Sequence, residues 1–130
     1  MAELFLVAIG GAVGSVGRLY ASRLVMQLSG GTFPLGTMFV NVTGGIIIGF
    51  LAALAEPESR LYLNPQTRLL LMTGVCGGYT TFSTFSLETV ALIGDGQFLS
   101  ASINAVGSVL LCLGAVWLGG IVGELIAGGI

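Results

Sequence analysis

The chain has no histidine and no lysine, and cysteine appears only twice. Without histidine, most triad and metal-enzyme chemistry is excluded. Charge is scarce as well: 8% of residues are charged, where a soluble domain carries about 25%. The basic residues are Arg18, Arg23, Arg60 and Arg68, and the formal net charge is −2. So small and scattered a charge gives no patch for nucleic acid or anionic lipid. No nucleotide-binding motif is present. Cys76 and Cys112 both lie inside apolar segments and read as packing thiols rather than a disulfide or a ligand pair. The residues preceding the first apolar run, Met1 to Glu3, carry no basic cluster, so that run does not read as a cleaved signal peptide.

What is present is apolar: 55% of the 130 residues are hydrophobic, with a mean hydropathy of +1.02. A bilayer crossing takes about 20 mainly apolar residues. Four segments qualify, at about residues 4–28, 35–55, 67–93 and 98–126. Short turns carrying Gly, Pro, Asn or Asp join them. The expectation is an all-α membrane protein, a single transmembrane domain over residues 1–130. Glycine is the other abundance, at 22 residues. Small residues recur at helical spacing in Gly10/Gly14, Gly45/Gly49, Gly74/Gly78 and Gly119/Gly123. Such pairs let helix backbones approach closely. Four thin helices leave little room for a pore, so a homodimer is the natural completion.

The third segment is the unusual one. Residues 73–88 carry a Gly77-Gly78 pair, the hydroxyls of Thr80, Thr81, Ser83, Thr84 and Ser86, and two phenylalanines. Glycine loosens a helix. Backbone groups freed inside a bilayer cost several kcal/mol each unless something satisfies them. A helix broken near its middle is expected, with carbonyls and hydroxyls available for binding. Phe82 and Phe85 share a face, and the edge of an aromatic ring is weakly electropositive. The alternative for both rings is packing or lipid contact.

Other polar residues sit in apolar surroundings. Thr37 and Asn41 are four apart on one helix face. They read either as an interhelical clamp or as a donor pair lining an anion path. Ser100, Asn104, Ser108 and Cys112 form a polar stripe along the fourth segment. Arg18 is either an interfacial anchor or a functional charge. Glu88 is a candidate to cap a charge network, to pair with Arg18, or to face water.

Gly77-Gly78-Tyr79-Thr80-Thr81-Phe82-Ser83-Thr84-Phe85 resembles the signature of the Fluc (CrcB-type) fluoride channels, and the resemblance extends over nearly the whole chain. It implies passive efflux of fluoride through two pores of an antiparallel, dual-topology homodimer in a bacterial or archaeal cytoplasmic membrane, and no enzyme activity. It implies a fluoride path along Asn41, Phe82, Phe85, Ser108, Thr37, Ser83, Asn104 and Cys112, and a vestibule at Arg18. It further implies a structural sodium ion held by the backbone carbonyls of Gly77 and Thr80 from both subunits. Asn104 and Cys112 depart from the family pattern, which usually has a tyrosine and a serine at these places. The arginines allow dual topology. Arg60 and Arg68 fall on one side and Arg23 on the other, with Arg18 reaching toward it, so the bias that sets orientation is nearly absent.

Other readings are a small dual-topology cation or drug antiporter and a non-transporting assembly subunit. The antiporter needs an intramembrane carboxylate, and Glu88 is the only candidate. The assembly subunit accounts for the glycines but not for the clustered hydroxyls.

Overall fold

The computed structural model describes residues 1–128. Four helical segments make up the fold. They are α1 (Ala2–Ser29), α2 (Leu35–Leu54), a third segment in two pieces, and α5 (Phe98–Ala127). The first piece of the third segment, here α3 (residues 65–79), runs as an α-turn Pro65–Arg68, a π-helical stretch Leu69–Cys76 and a last α-turn Gly77–Tyr79. The second piece is α4 (Phe82–Gly94).

Local chemistry explains the boundaries. Gly30 ends α1 in the left-handed conformation at φ 61°, where a side chain would be strained. Asn64 caps α3: its Oδ1 accepts from the Thr67 N–H at 2.9 Å, and Pro65 occupies the first helical position, where no N–H is needed. Gly96, at φ 73°, makes the turn between α4 and α5.

Three helices are long and apolar enough to cross a membrane: α1, α2 and α5. Large apolar side chains face outward all along them, among them Phe5, Val13, Leu110 and Trp117. The interior is thin and built of small residues. Apart from Val40, Leu51, Leu54 and Leu92, the buried apolar side chains are Ala or Cys. That is the inverse of a soluble core, and it marks a multi-pass membrane protein, whose outer surface has lipid for solvent.

Two glycine seams hold the bundle. In one, α1 lies against α3. A Cβ at Gly74 would come within 2.9 Å of the Gly10 Cα, and a Cβ at Gly14 would overlap the Val75 carbonyl. In the other, α2 lies against α5, and a Cβ at Gly49 or Gly119 would overlap the opposite backbone. The four glycine pairs picked out by their spacing all lie on these seams.

The break falls later than the glycine pair suggests. Gly77 and Gly78 are helical, and Gly78 is needed for close packing, since a Cβ there would lie 2.5 Å from the Gly11 carbonyl oxygen. The extended residues are Thr80 (φ −86°, ψ 159°) and Thr81 (φ −153°, ψ 112°).

Candidate functional site

Asn41 accounts for the position of the break. Its Oδ1 accepts from the Thr81 N–H at 2.7 Å, and its Nδ2 donates to the Thr81 carbonyl at 3.0 Å. One side-chain amide thus meets both backbone groups of an extended residue, as a neighbouring strand would. Thr81 cannot then serve as the helical partner of the Gly77 carbonyl, and the helix stops. The Thr81 hydroxyl restarts it by accepting from the Thr84 N–H at 3.2 Å. Tyr79 braces the turn before the break. Its hydroxyl lies 3.0 Å from Thr43 Oγ1. Thr43 has given its own proton to the Phe39 carbonyl at 2.7 Å, so Tyr79 is the donor.

Beside the break lies a groove of about 280 Å³. Asn41, Thr80, Thr81, Phe82, Phe85, Ser108 and Cys112 line it, with Gly45, Ile48, Val109 and Val116, and none of them is charged. The rings of Phe82 and Phe85 stand 5.4 Å apart between centroids, tilted by 46°. Phe82 is 76% exposed, so the groove is open on that side. One amide hydrogen of Asn41 is not used by Thr81 and has no partner among the described residues. Neutral donors and ring edges in a narrow apolar slot can replace part of the water shell of a small anion without trapping it.

Of the eight residues that the resemblance assigns to the fluoride path, five therefore meet in one place: Asn41, Phe82, Phe85, Ser108 and Cys112. Three do not. Thr37 gives its hydroxyl proton to Glu88 Oε1 at 2.8 Å and lies in the next grooves along, which Arg18, Arg23 and Thr84 help to line. Ser83 is exposed, and the one hydrogen-bond partner of its hydroxyl among the described residues is Thr81 Oγ1, at 3.3 Å. Asn104 is 1% exposed and is tied across to Thr89 on α4. The helical stripe from Asn104 to Cys112 is real, but α4 covers its first member.

The hydroxyls around the phenylalanines are mostly satisfied locally. Thr80 bonds to the Cys76 carbonyl at 3.0 Å and Ser86 to the Phe82 carbonyl at 2.9 Å. Arg18 does not pair with Glu88; its Nη1 donates to the Thr80 carbonyl at 3.3 Å. Glu88 Oε2 is buried and has no hydrogen-bond partner among the described residues. Both cysteines are free thiols. Sequence reasoning missed Thr89, which accepts from Asn104 Nδ2 at 2.9 Å and donates to the Phe85 carbonyl at 2.7 Å. Its signal was a lone hydroxyl one helical turn beyond Phe85.

These features define a class: a small, multi-pass, all-helical membrane protein with a broken helix beside an uncharged polar groove. Comparison supplies the family. A family profile described as "CrcB-like protein, Camphor Resistance (CrcB)" matches residues 5–120, and the chain belongs to that family. A protein of Opitutus terrae named "Fluoride-specific ion channel FluC" is 56% identical over 113 residues, covering 87% of this chain and 86% of that protein. The protein of the same name in Rhodospirillum rubrum is 47% identical over 130 residues, 100% of both chains. The one in Paramagnetospirillum magneticum is 46% identical over 121 residues, covering 93% of this chain and 94% of that protein.

Proposed function

We propose that this chain forms a fluoride-selective ion channel that lets fluoride leave the cell passively. The observation that carries this reading is the groove, in which Asn41, Phe82, Phe85 and Ser108 come together with no charged residue among those lining it. A relative named as a fluoride-specific channel matches along the full length of the chain, and two more match over 87% and 93% of it.

Fluoride is small and holds its water tightly. Along the groove it exchanges that water for the spare amide hydrogen of Asn41, the ring edges of Phe82 and Phe85, and the hydroxyl and thiol of Ser108 and Cys112. Each contact is neutral and modest, so the ion binds and moves on. Arg18 and Arg23, in the neighbouring grooves, raise the local concentration of anions before they enter. The physiological logic is chemical. Neutral HF enters from acid surroundings and dissociates inside, and the negative interior potential then drives the ion out. No ATP is needed.

The working unit is an antiparallel homodimer with two pores. The open side of the groove and the 76% exposure of Phe82 support this, because a second copy would close the slot. The balanced arginines support insertion both ways. A sodium ion at the dimer axis belongs to the same proposal. The Gly77 carbonyl, released from its helical partner, suits an oxygen-coordinated cation. The Thr80 carbonyl suits one only if Arg18 turns away from it, since the guanidinium already occupies that oxygen. The antiporter alternative requires Glu88 at the binding site. Glu88 instead lines a different groove from the phenylalanines.

The test is ion efflux from liposomes holding the purified protein. Fluoride leaving at least as slowly as chloride would remove the channel reading.

A further inference from the structure

We infer that Asn104 and Thr89 are positioning residues that set the direction of the Ser108 hydroxyl and tie it to the Phe85 turn of α4. This rests on the channel reading above, and it assigns Asn104 a place behind the ion path rather than in it.

The direction of every proton follows from the donors available. Thr89 has one hydroxyl proton, and the Phe85 carbonyl, 2.7 Å away, can only accept it. The Thr89 oxygen must then accept from its other neighbour, the Asn104 amide, at 2.9 Å. That fixes which way the amide faces: Nδ2 toward Thr89 and Oδ1 toward Ser108. Oδ1 can only accept, so Ser108 donates to it, at 3.3 Å. The result is a one-way relay from Ser108 through Asn104 and Thr89 to Phe85, joining α5 to α4.

Two consequences follow for an anion in the groove. At rest, Ser108 turns its lone pairs to the groove and its proton away from it. To bind an anion the hydroxyl must rotate and give up its bond to Asn104, the longest of the three. The Asn104 carbonyl oxygen is then left without a partner where only 1% of the residue is exposed, and this pulls the proton back. The relay therefore makes Ser108 a donor that takes the ion and releases it again. It also holds the turn that carries the Phe85 ring.

The test uses full-length protein in liposomes, with fluoride and chloride efflux measured against the wild type. Thr89→Val keeps the shape and removes the hydroxyl. Its fluoride flux should fall about fivefold, the worth of one net hydrogen bond, with a lower fluoride-to-chloride ratio. Thr89→Ser, which keeps the hydroxyl, should restore flux to within about twofold, well inside the effect of one such bond. Asn104→Leu should lose as much as Thr89→Val, and the double variant should lose no more than either alone. A folded Thr89→Val protein with wild-type flux and selectivity would overturn the relay. So would flux losses that multiply in the double variant. If the wild type itself passes fluoride no faster than chloride, the channel reading fails instead. The relay then stands or falls on whether the two substitutions are non-additive in thermal unfolding.

Discussion

The two pieces of the third segment are made by opposite means. α3 is held by backbone contact: Gly74, within its π-helical stretch Leu69–Cys76, and Gly78 let it lie directly on α1. α4 is held by side chains. Its large apolar residues Phe82, Leu87 and Val90 point outward. Its ties to the bundle include three polar links: Asn41 to Thr81 just before its first turn, Thr37 to Glu88, and Asn104 to Thr89. Close backbone packing gives rigidity but leaves no space. Hydrogen-bonded links leave a groove between the elements they join. The proposed ion path therefore lies beside α4, and α3 is its foundation.

Substitutions in the two pieces should separate these roles. The largest effect is expected at the glycine seam. Gly14→Ala puts a Cβ into the Val75 carbonyl, a clash with no flexible neighbour to yield, and should cost about 3 kcal/mol or more. Loss of folded protein in size-exclusion profiles and a lowered thermal midpoint would report it. A protein as stable as wild type would mean α1 and α3 can slide apart freely.

Next comes Asn41→Leu, which strands the N–H and carbonyl of Thr81, at about 1–3 kcal/mol for each buried group left unmade. Fluoride efflux should fall to background while much of the protein remains folded. If efflux survived, the break would be maintained by something other than the Asn41 amide. Phe85→Ile should lower fluoride flux about tenfold, the scale of one aromatic-edge contact, with thermal stability nearly unchanged. Equal flux would make the ring a packing element, and α4 would resemble α3 after all. The smallest effect is expected for Thr37→Val, which removes one hydrogen bond from Glu88, about 1 kcal/mol of stability. A large loss of flux there would place Glu88 on the ion path.

Some of the site was legible because helix periodicity is local. The spacing of Gly10/Gly14 or Asn104/Ser108 puts each pair on one face whatever surrounds it. Which neighbour that face meets is not local. The stripe on α5 passes under α4 at Asn104 and emerges into the groove at Ser108 and Cys112, a distinction set by where two helices cross. The hydroxyls of Thr37 and Ser86 looked equally available in the sequence. Glu88 and the Phe82 carbonyl claim them.

The sequence by itself determined an all-helical membrane protein with glycine-lined faces and one segment unlike the others, because apolar run length, small-residue spacing and motif chemistry need no neighbours to be read. The tertiary structure decided where that segment breaks and which polar groups remain free. The physical reason is that a hydrogen bond has one donor and one acceptor, and the partner of each buried group comes from another helix. Asn41 stops the helix at Thr81 from 40 residues away, and no reading of the third segment alone contains that.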